Sequence, residues 1–197
     1  MNRRMTGRLG RAAWLLMAPI LAAAPFARAW EPRDWTDKYP LTYSPPGRAV
    51  SVELPDGWTL NSKADSLQMT RDSPILQQIR MLELDPRFVY NGSKMTVTPA
   101  TSPEQLSAVL LEDFIVGSRG IKDVTVVEAV EVSVCGQKGL RQVVTYLSTA
   151  QHGLSHRHEL YAWVKNGKLY YLDYDAPALY FFDRDRGAFD KIVHSCN

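Results

Sequence analysis

Asn166 and Gly167 stand between two runs rich in branched and aromatic residues, His156–Val164 and Leu169–Ala176. The pair lies at the centre of Lys165-Asn166-Gly167-Lys168. Asn-Gly suits a two-residue hairpin loop, because both central positions must take positive φ. Strands joined by so tight a turn must run antiparallel, and the turn fixes their register: Val164 faces Leu169 across the pair, and His158 faces Asp175. Side chains alternate along each strand. Tyr161, Trp163, Tyr170 and Tyr174 therefore share one face of the hairpin. Leu160, Ala162, Val164, Leu169 and Tyr171 share the other, with His156, His158, Asp173 and Asp175. Both faces are largely apolar, so both need cover, as in a central hairpin. Pro177 ends the pairing because it lacks the N–H a ladder uses.

The rest of the chain supplies more strands and the cover. Val50-Ser51-Val52-Glu53-Leu54 alternates as a half-buried strand does, Pro55-Asp56-Gly57 turns it, and Trp58-Thr59-Leu60 begins the return. Leu67–Thr70 reads as a short strand. In the stretch from Leu76 to Leu84, a helix would align Ile75, Ile79 and Leu82, and a strand would align Leu76, Leu82 and Leu84. The strand is favoured, because Asp72-Ser73-Pro74 looks like a hairpin turn after Thr70. Lys94–Thr98 is a further candidate strand. Ser102-Pro103-Glu104-Gln105 combines an N-cap, a first-turn proline and a capping-box glutamine. The helix that follows aligns Leu106, Val109, Leu110 and Phe114, with Gly117 and Gly120 ending it. Val124–Cys135 and Leu140–Tyr146 form a hairpin around Gly136-Gln137-Lys138-Gly139. A last helix aligns Leu179, Phe182, Phe189, Ile192 and Val193. The expected class is α+β: an antiparallel β-sheet covered by two amphipathic helices in an α/β/α sandwich-like arrangement.

The N-terminus has the three parts of a cleavable secretory signal over residues 1–29. Arg3, Arg4, Arg8 and Arg11 lead, an apolar run extends from Ala12 to Ala27, and Ala27-Arg28-Ala29 offers a cleavage site. Pro19 and Pro25 interrupt the run, which is shorter than the roughly 20 residues of a spanning helix. No integral membrane segment is expected after cleavage. The five arginines of the signal account for the basic balance: without them the formal charge moves from +2 to about −3. A mildly acidic domain gives no electrostatic basis for nucleic-acid binding. Residues 30–48, rich in proline and aromatics, read as an extended arm. Its Trp30, Trp35, Tyr39 and Tyr43 either pack on their own domain, which spans residues 49–197, or form a partner surface. The two cysteines, Cys135 and Cys196, either pair in an oxidising compartment or remain buried thiols. Paired, they would clip the last helix to the sheet.

Val52-Glu53-Leu54-Pro55-Asp56-Gly57-Trp58, the helix from Ser102, the Gly136–Gly139 hairpin, and Tyr170-Tyr171-Leu172-Asp173-Tyr174-Asp175-Ala176-Pro177 running into an apolar helix resemble the PsbP-like superfamily, its small exported bacterial members included. The resemblance covers most of residues 49–196 as an order of elements. It implies a binding or assembly role, like those of the extrinsic subunits of the photosynthetic water-oxidising complex and of a nuclear-import regulator. It carries no site residues across.

Three functional classes follow, the last being a domain with a purely structural role in an envelope complex. The first is an exported, non-catalytic binding or accessory protein of a bacterial cell envelope, periplasmic or secreted, whose partner is an envelope protein or a small ligand. The second is a divalent-metal-binding protein or hydrolase using His156, His158, Asp173 and Asp175. Two histidines facing two carboxylates suit zinc or a similar ion, and His152 could add a ligand; the same residues could equally form His–Asp pairs without metal. Asp183-Arg184-Asp185-Arg186-Gly187 opens like a calcium loop, but Gly187 replaces the third acidic ligand and His194 the bidentate glutamate, so it reads better as a charged helix start. Asn91-Gly92-Ser93 is a glycosylation sequon. No hydrolase nucleophile elbow, phosphate loop or zinc-protease helix motif occurs, and no cofactor motif with them.

Overall fold

In a computed structural model, residues 35–36, 42–44, 50–61, 66–85, 96–118 and 120–197 are described. All lie within Asp34–Asn197, which packs as one unit. The signal, Trp30, Tyr39, the sequon and Lys94–Met95 fall outside the described residues.

The 156–177 hairpin is the frame. β9 (Leu154–Lys165) pairs with β10 (Lys168–Pro177) in the expected register, Val164 against Leu169 and His158 against Asp175. Asn166 and Gly167 both take positive φ at the turn (53° and 71°). The pair sits inside an antiparallel sheet of eight strands among the described residues. β6 (Gln78–Leu84) flanks β10, and β8 (Gln137–Ser148) flanks β9. Beyond β6 come β5 (Leu67–Thr70), β4 (Thr59–Asn61) and β1 (Trp35–Thr36), while β7 (Ile121–Val134) forms the opposite edge. β2 (Thr42–Tyr43) and β3 (Val52–Glu53) make a separate two-stranded ladder. Strands β1 and β2 both lie in the segment 30–48 expected as an extended arm.

The stretch 78–84 is a strand, as favoured, because the turn at 72–77 returns it onto β5. Three boundaries differ from expectation. The β7–β8 turn is Cys135-Gly136, both at positive φ (49° and 69°), and Gln137–Gly139 belong to β8. Gly139 serves close packing instead: a Cβ there would lie 2.5 Å from the Ala162 carbonyl oxygen and 2.8 Å from Val134 Cγ1. Residues 96–98 are in no strand. Leu179 lies before the last helix and is 82% exposed, so it is no part of the buried stripe.

Helix α1 (Pro103–Gly117) begins as its sequence dictates. The Gln105 N–H donates to Ser102 Oγ and the Ser102 N–H donates to Gln105 Oε1; such a cap contributes about 1 kcal/mol. The glycines do not close it in a left-handed turn. Ser118, in extended backbone, is the C-cap, and its N–H donates to the Phe114 carbonyl. Leu106, Val109 and Leu110 are buried with Leu140, Leu160, Ala162, Val164 and Leu169. Each such side chain contributes about 1.5–3 kcal/mol on burial. Ile115 and Val116 are exposed, so the apolar residues of α1 are less strictly one-sided than expected.

Helix α2 (Phe181–Ser195) buries Phe182, Phe189, Ile192 and Val193 against Trp58, Trp163, Tyr170, Leu172 and Tyr174. The hairpin aromatics are thus core. Alternate residues of β9 and β10 enter the α1 cluster and the α2 cluster in turn. Cys135 and Cys196 are joined by a disulfide that spans 61 residues of sequence and ties the end of α2 to the β7–β8 turn. Closing such a loop stabilises the fold by about 4 kcal/mol in the chain-entropy view. Ser51 and Asn197 exchange backbone hydrogen bonds of 3.1 and 3.2 Å, which fastens the C-terminus to the segment leading into β3.

Candidate binding cleft

The polar end of the central hairpin lies beneath the C-terminal end of α1. His156 and His158 on β9 and Asp173 and Asp175 on β10 lie there with Arg80 from β6 and Tyr146 from β8. Two adjoining hollows open at this place, of about 210 and 200 Å³. Arg80, Phe114 and Ser118 line both.

The four residues expected from sequence divide into two pairs. His156 donates from Nδ1 to Asp175 Oδ1 at 2.9 Å, and its Nε2 faces Gln151 Oε1 at 3.0 Å. The Gln151 amide is oriented by its own N–H₂, which donates to the Ile75 carbonyl at 2.7 Å. Both ring nitrogens of His156 therefore face oxygen atoms. Tyr146 donates to the second oxygen of Asp175 at 2.7 Å. Burial, reinforced by the Asp175 charge, pushes the Tyr146 hydroxyl far above its ordinary value, so it stays a donor.

In the second pair His158 Nε2 lies 3.6 Å from Asp173 Oδ2, beyond hydrogen-bonding distance. Arg80 holds Asp173 instead, with Nε and Nη2 donating to its two oxygens at 3.0 and 2.8 Å. The fork geometry matches a carboxylate on both oxygens. Burial alone would raise the Asp173 carboxyl, but Arg80 and then His158 hold it below its usual range. The Asp173 charge in turn raises Arg80. Among the described residues, no group of three or more His, Cys, Asp or Glu side chains is placed to share one metal ion. Arg80 supplies the reason at Asp173, since its guanidinium occupies the oxygens a cation would take.

The α1 wall of the cleft is Leu110, Asp113, Phe114 and Gly117. Phe114 stacks on His158, with centroids 4.6 Å apart, and meets Tyr146 edge-on at 5.4 Å. Two buried polar atoms here, Asp113 Oδ1 and His158 Nε2, have no hydrogen-bond partner among the described residues. Burial raises the Asp113 carboxyl above its ordinary value.

Sequence reasoning missed Arg80, Asp113 and Phe114 as parts of this site. The signals were weak but physical. Arg80 is a charge between two buried apolar residues, Ile79 and Met81, in a strand. Asp113 follows Leu106 by seven positions, so it sits on the packed stripe of its helix. Other expected residues lie elsewhere. Tyr43 is half-buried against the α2 cluster. Asp185, in the segment that opens like a calcium loop, is buried and bonded to Arg71, Gln77 and Arg184.

No protein-family model matches the sequence, and no curated protein matches it. Solved structures do. PsbP of the cyanobacterium Synechocystis sp. PCC 6803 is 13% identical, with 79% of this chain covering 90% of that one at a TM-score of 0.52. The Ran-binding protein Mog1p of Saccharomyces cerevisiae is 9% identical, with 79% covering 93% at 0.54. LpqN, involved in cell envelope biogenesis of Mycobacterium tuberculosis, is 13% identical, with 75% covering 82% at 0.47. At such identities the likeness concerns architecture alone: strands in a mainly antiparallel sheet, accompanied by two helices, give this chain a PsbP-like α+β fold.

Proposed function

We propose that the chain is an exported, non-catalytic binding or accessory protein of a cell envelope, and that the cleft beneath the end of α1 is where it binds. One observation carries the reading. Of the 156–175 cluster, His156, Asp173 and Asp175 are held in internal pairs, while His158 Nε2 and Asp113 Oδ1 stand at the hollow with no hydrogen-bond partner among the described residues. General acid–base or nucleophilic work needs a group held ready for substrate. His156 is bonded at both nitrogens and Asp173 at both oxygens. The fold agrees in kind, since a PsbP-like architecture also serves a Ran-binding protein. The signal-like N-terminus and the disulfide agree with an oxidising, extracytoplasmic compartment. The alternation along β9 and β10 supports α1 and α2 as covers for opposite faces of the large sheet, an α/β/α order.

The test is affinity capture from the native envelope after crosslinking, with residues 30–197 as bait. A partner or ligand retained by the wild-type chain and lost from the D113N/H158A double variant supports the reading. Identical capture by both contradicts it. Zinc loading of the same protein tests the alternative of a metal protein or hydrolase at His156, His158, Asp173 and Asp175. Stoichiometric binding with a raised melting temperature would favour that alternative.

A further inference from the structure

Resting on the binding role just proposed, we infer the ligand class: the cleft takes a small organic ammonium ion, its charge against Asp113 and its carbon frame against Leu110, Phe114 and Leu160.

The charges around the cleft decide the sign. From β6 comes Arg80, from β10 Asp173, from β9 His158, and from α1 Asp113. Arg80 and Asp173 neutralise each other in their two-oxygen pair. No cation pairs with Asp113 among the described residues, and its Oδ1 is buried without a donor. The backbone adds to the negative side. A helix C-terminus carries roughly half an elementary negative charge, and the last turn of α1 has no basic residue to answer it. An anion would meet this field and Asp113 together.

The unpaired atoms decide the ligand's donors. His158 is only 4% exposed, yet its Nε2 has no hydrogen-bond partner. A buried polar atom left so costs about 1–3 kcal/mol. An ammonium group brings three donors. One can serve Asp113 Oδ1; a second can serve His158 Nε2, which faces Asp173 Oδ2 at 3.6 Å, only in the tautomer that leaves this nitrogen an acceptor in place of a donor toward Asp173. Leu110, Phe114, Leu160 and Tyr171 form an apolar and aromatic side of the hollow, beside Arg80, Ser118 and Asp173; that side suits a hydrocarbon body and adds cation–π attraction. The hollow of about 210 Å³ is below the roughly 300–1,000 Å³ of drug-sized sites, so the occupant is small.

Isothermal titration of the mature chain with phenethylammonium chloride, phenethyl alcohol and hydrocinnamate tests the assignment. The ammonium should bind saturably, and the alcohol about tenfold or more weakly, as expected when a hydrogen bond to a charged group is lost. D113N should weaken ammonium binding by a similar factor with unchanged circular dichroism. Wild-type affinity should fall toward acid pH as the Asp113 carboxylate takes up a proton. The ligand stays charged through that range, as the lysine ammonium does up to about pH 10. No saturable ammonium binding, equal binding of the alcohol, or an unchanged D113N would overturn the inference. Should D113N not fold, a pH-independent wild-type affinity overturns it equally. Binding of hydrocinnamate in place of the ammonium would overturn the ligand class while leaving the cleft a binding site. Envelope capture indifferent to the double variant would instead sink the binding role itself.

Discussion

Glu159 and Asp113 are acids in contact with the same sheet, and they are treated in opposite ways. Glu159, on β9 next to α2, is fully buried. It accepts from Arg141 Nε at 2.6 Å and from Arg186 Nε at 3.1 Å. Asp185 on α2 is buried with Arg71, Gln77 and Arg184 around it. Every carboxylate under α2 is thus enclosed by donors, as burial of charge requires. On the α1 side, Asp113 keeps an oxygen with no donor and His158 a nitrogen with none. The first region is built to hold a helix in place. The second leaves an acid and a histidine with unpaired atoms at a hollow, whereas the other buried polar atoms without partners among the described residues, Trp58 Nε1, Trp163 Nε1 and Arg157 Nε, lie on the α2 side and line neither cleft hollow.

The sharpest way to break the contrast is at Glu159. Glu159→Gln leaves Arg141 and Arg186 facing a neutral amide and should cost about 3 kcal/mol in urea denaturation, the range for breaking a buried ion pair. A loss under about 1 kcal/mol would mean that the α2 network does not hold the helix. Next in size is the disulfide. Cys135→Ser with Cys196→Ser should lower stability by about 2–4 kcal/mol, and hydrogen exchange should rise first at the end of α2 and at Ser51. Uniform loosening throughout would argue against a local clip.

Acid should then separate the pairs within the cleft. Asp173 is held below its unfolded value, so its contribution is present above about pH 4. It is lost as pH falls through the lower folded value. Arg80→Met removes the main cause of that depression and should flatten the acid limb of the stability curve. An unchanged acid limb would show that the pair does not govern it. The smallest effect belongs to Asp113→Asn. Removing a carboxylate that no described residue pairs with should change stability by no more than about 0.5 kcal/mol, in either direction, while the binding described above weakens. A large loss of stability would place Asp113 with the structural acids.

The tight hairpins, the register of β9 against β10 and the start of α1 were legible because each depends on neighbours in sequence. Asn166-Gly167 demands its turn, and Ser102-Pro103-Glu104-Gln105 demands its cap. Side-chain alternation carried His156, His158, Asp173 and Asp175 into one group on the same logic. The role of Arg80 was not legible, because its meeting with Asp173 depends on β6 pairing with β10 across a separation of 93 residues. Cys135-Gly136 was hidden by its chemistry, since cysteine is an unusual occupant of a left-handed position and the following glycines drew the turn toward themselves. Leu179 misled because hydrophobicity alone does not say where a helix begins: Tyr180, with φ 73° and ψ −60°, makes a tight turn, and α2 starts at Phe181, two residues after Leu179.

The claim that the cleft under α1 is the binding site is tested most directly by chemical-shift mapping of isotope-labelled residues 30–197 during titration with phenethylammonium chloride. The account predicts saturable shifts confined to the amides of residues 110–118, His158 and Asp173, with Glu159, Asp185 and their neighbours on α2 unmoved. Shifts centred on α2, or none that saturate, would contradict it.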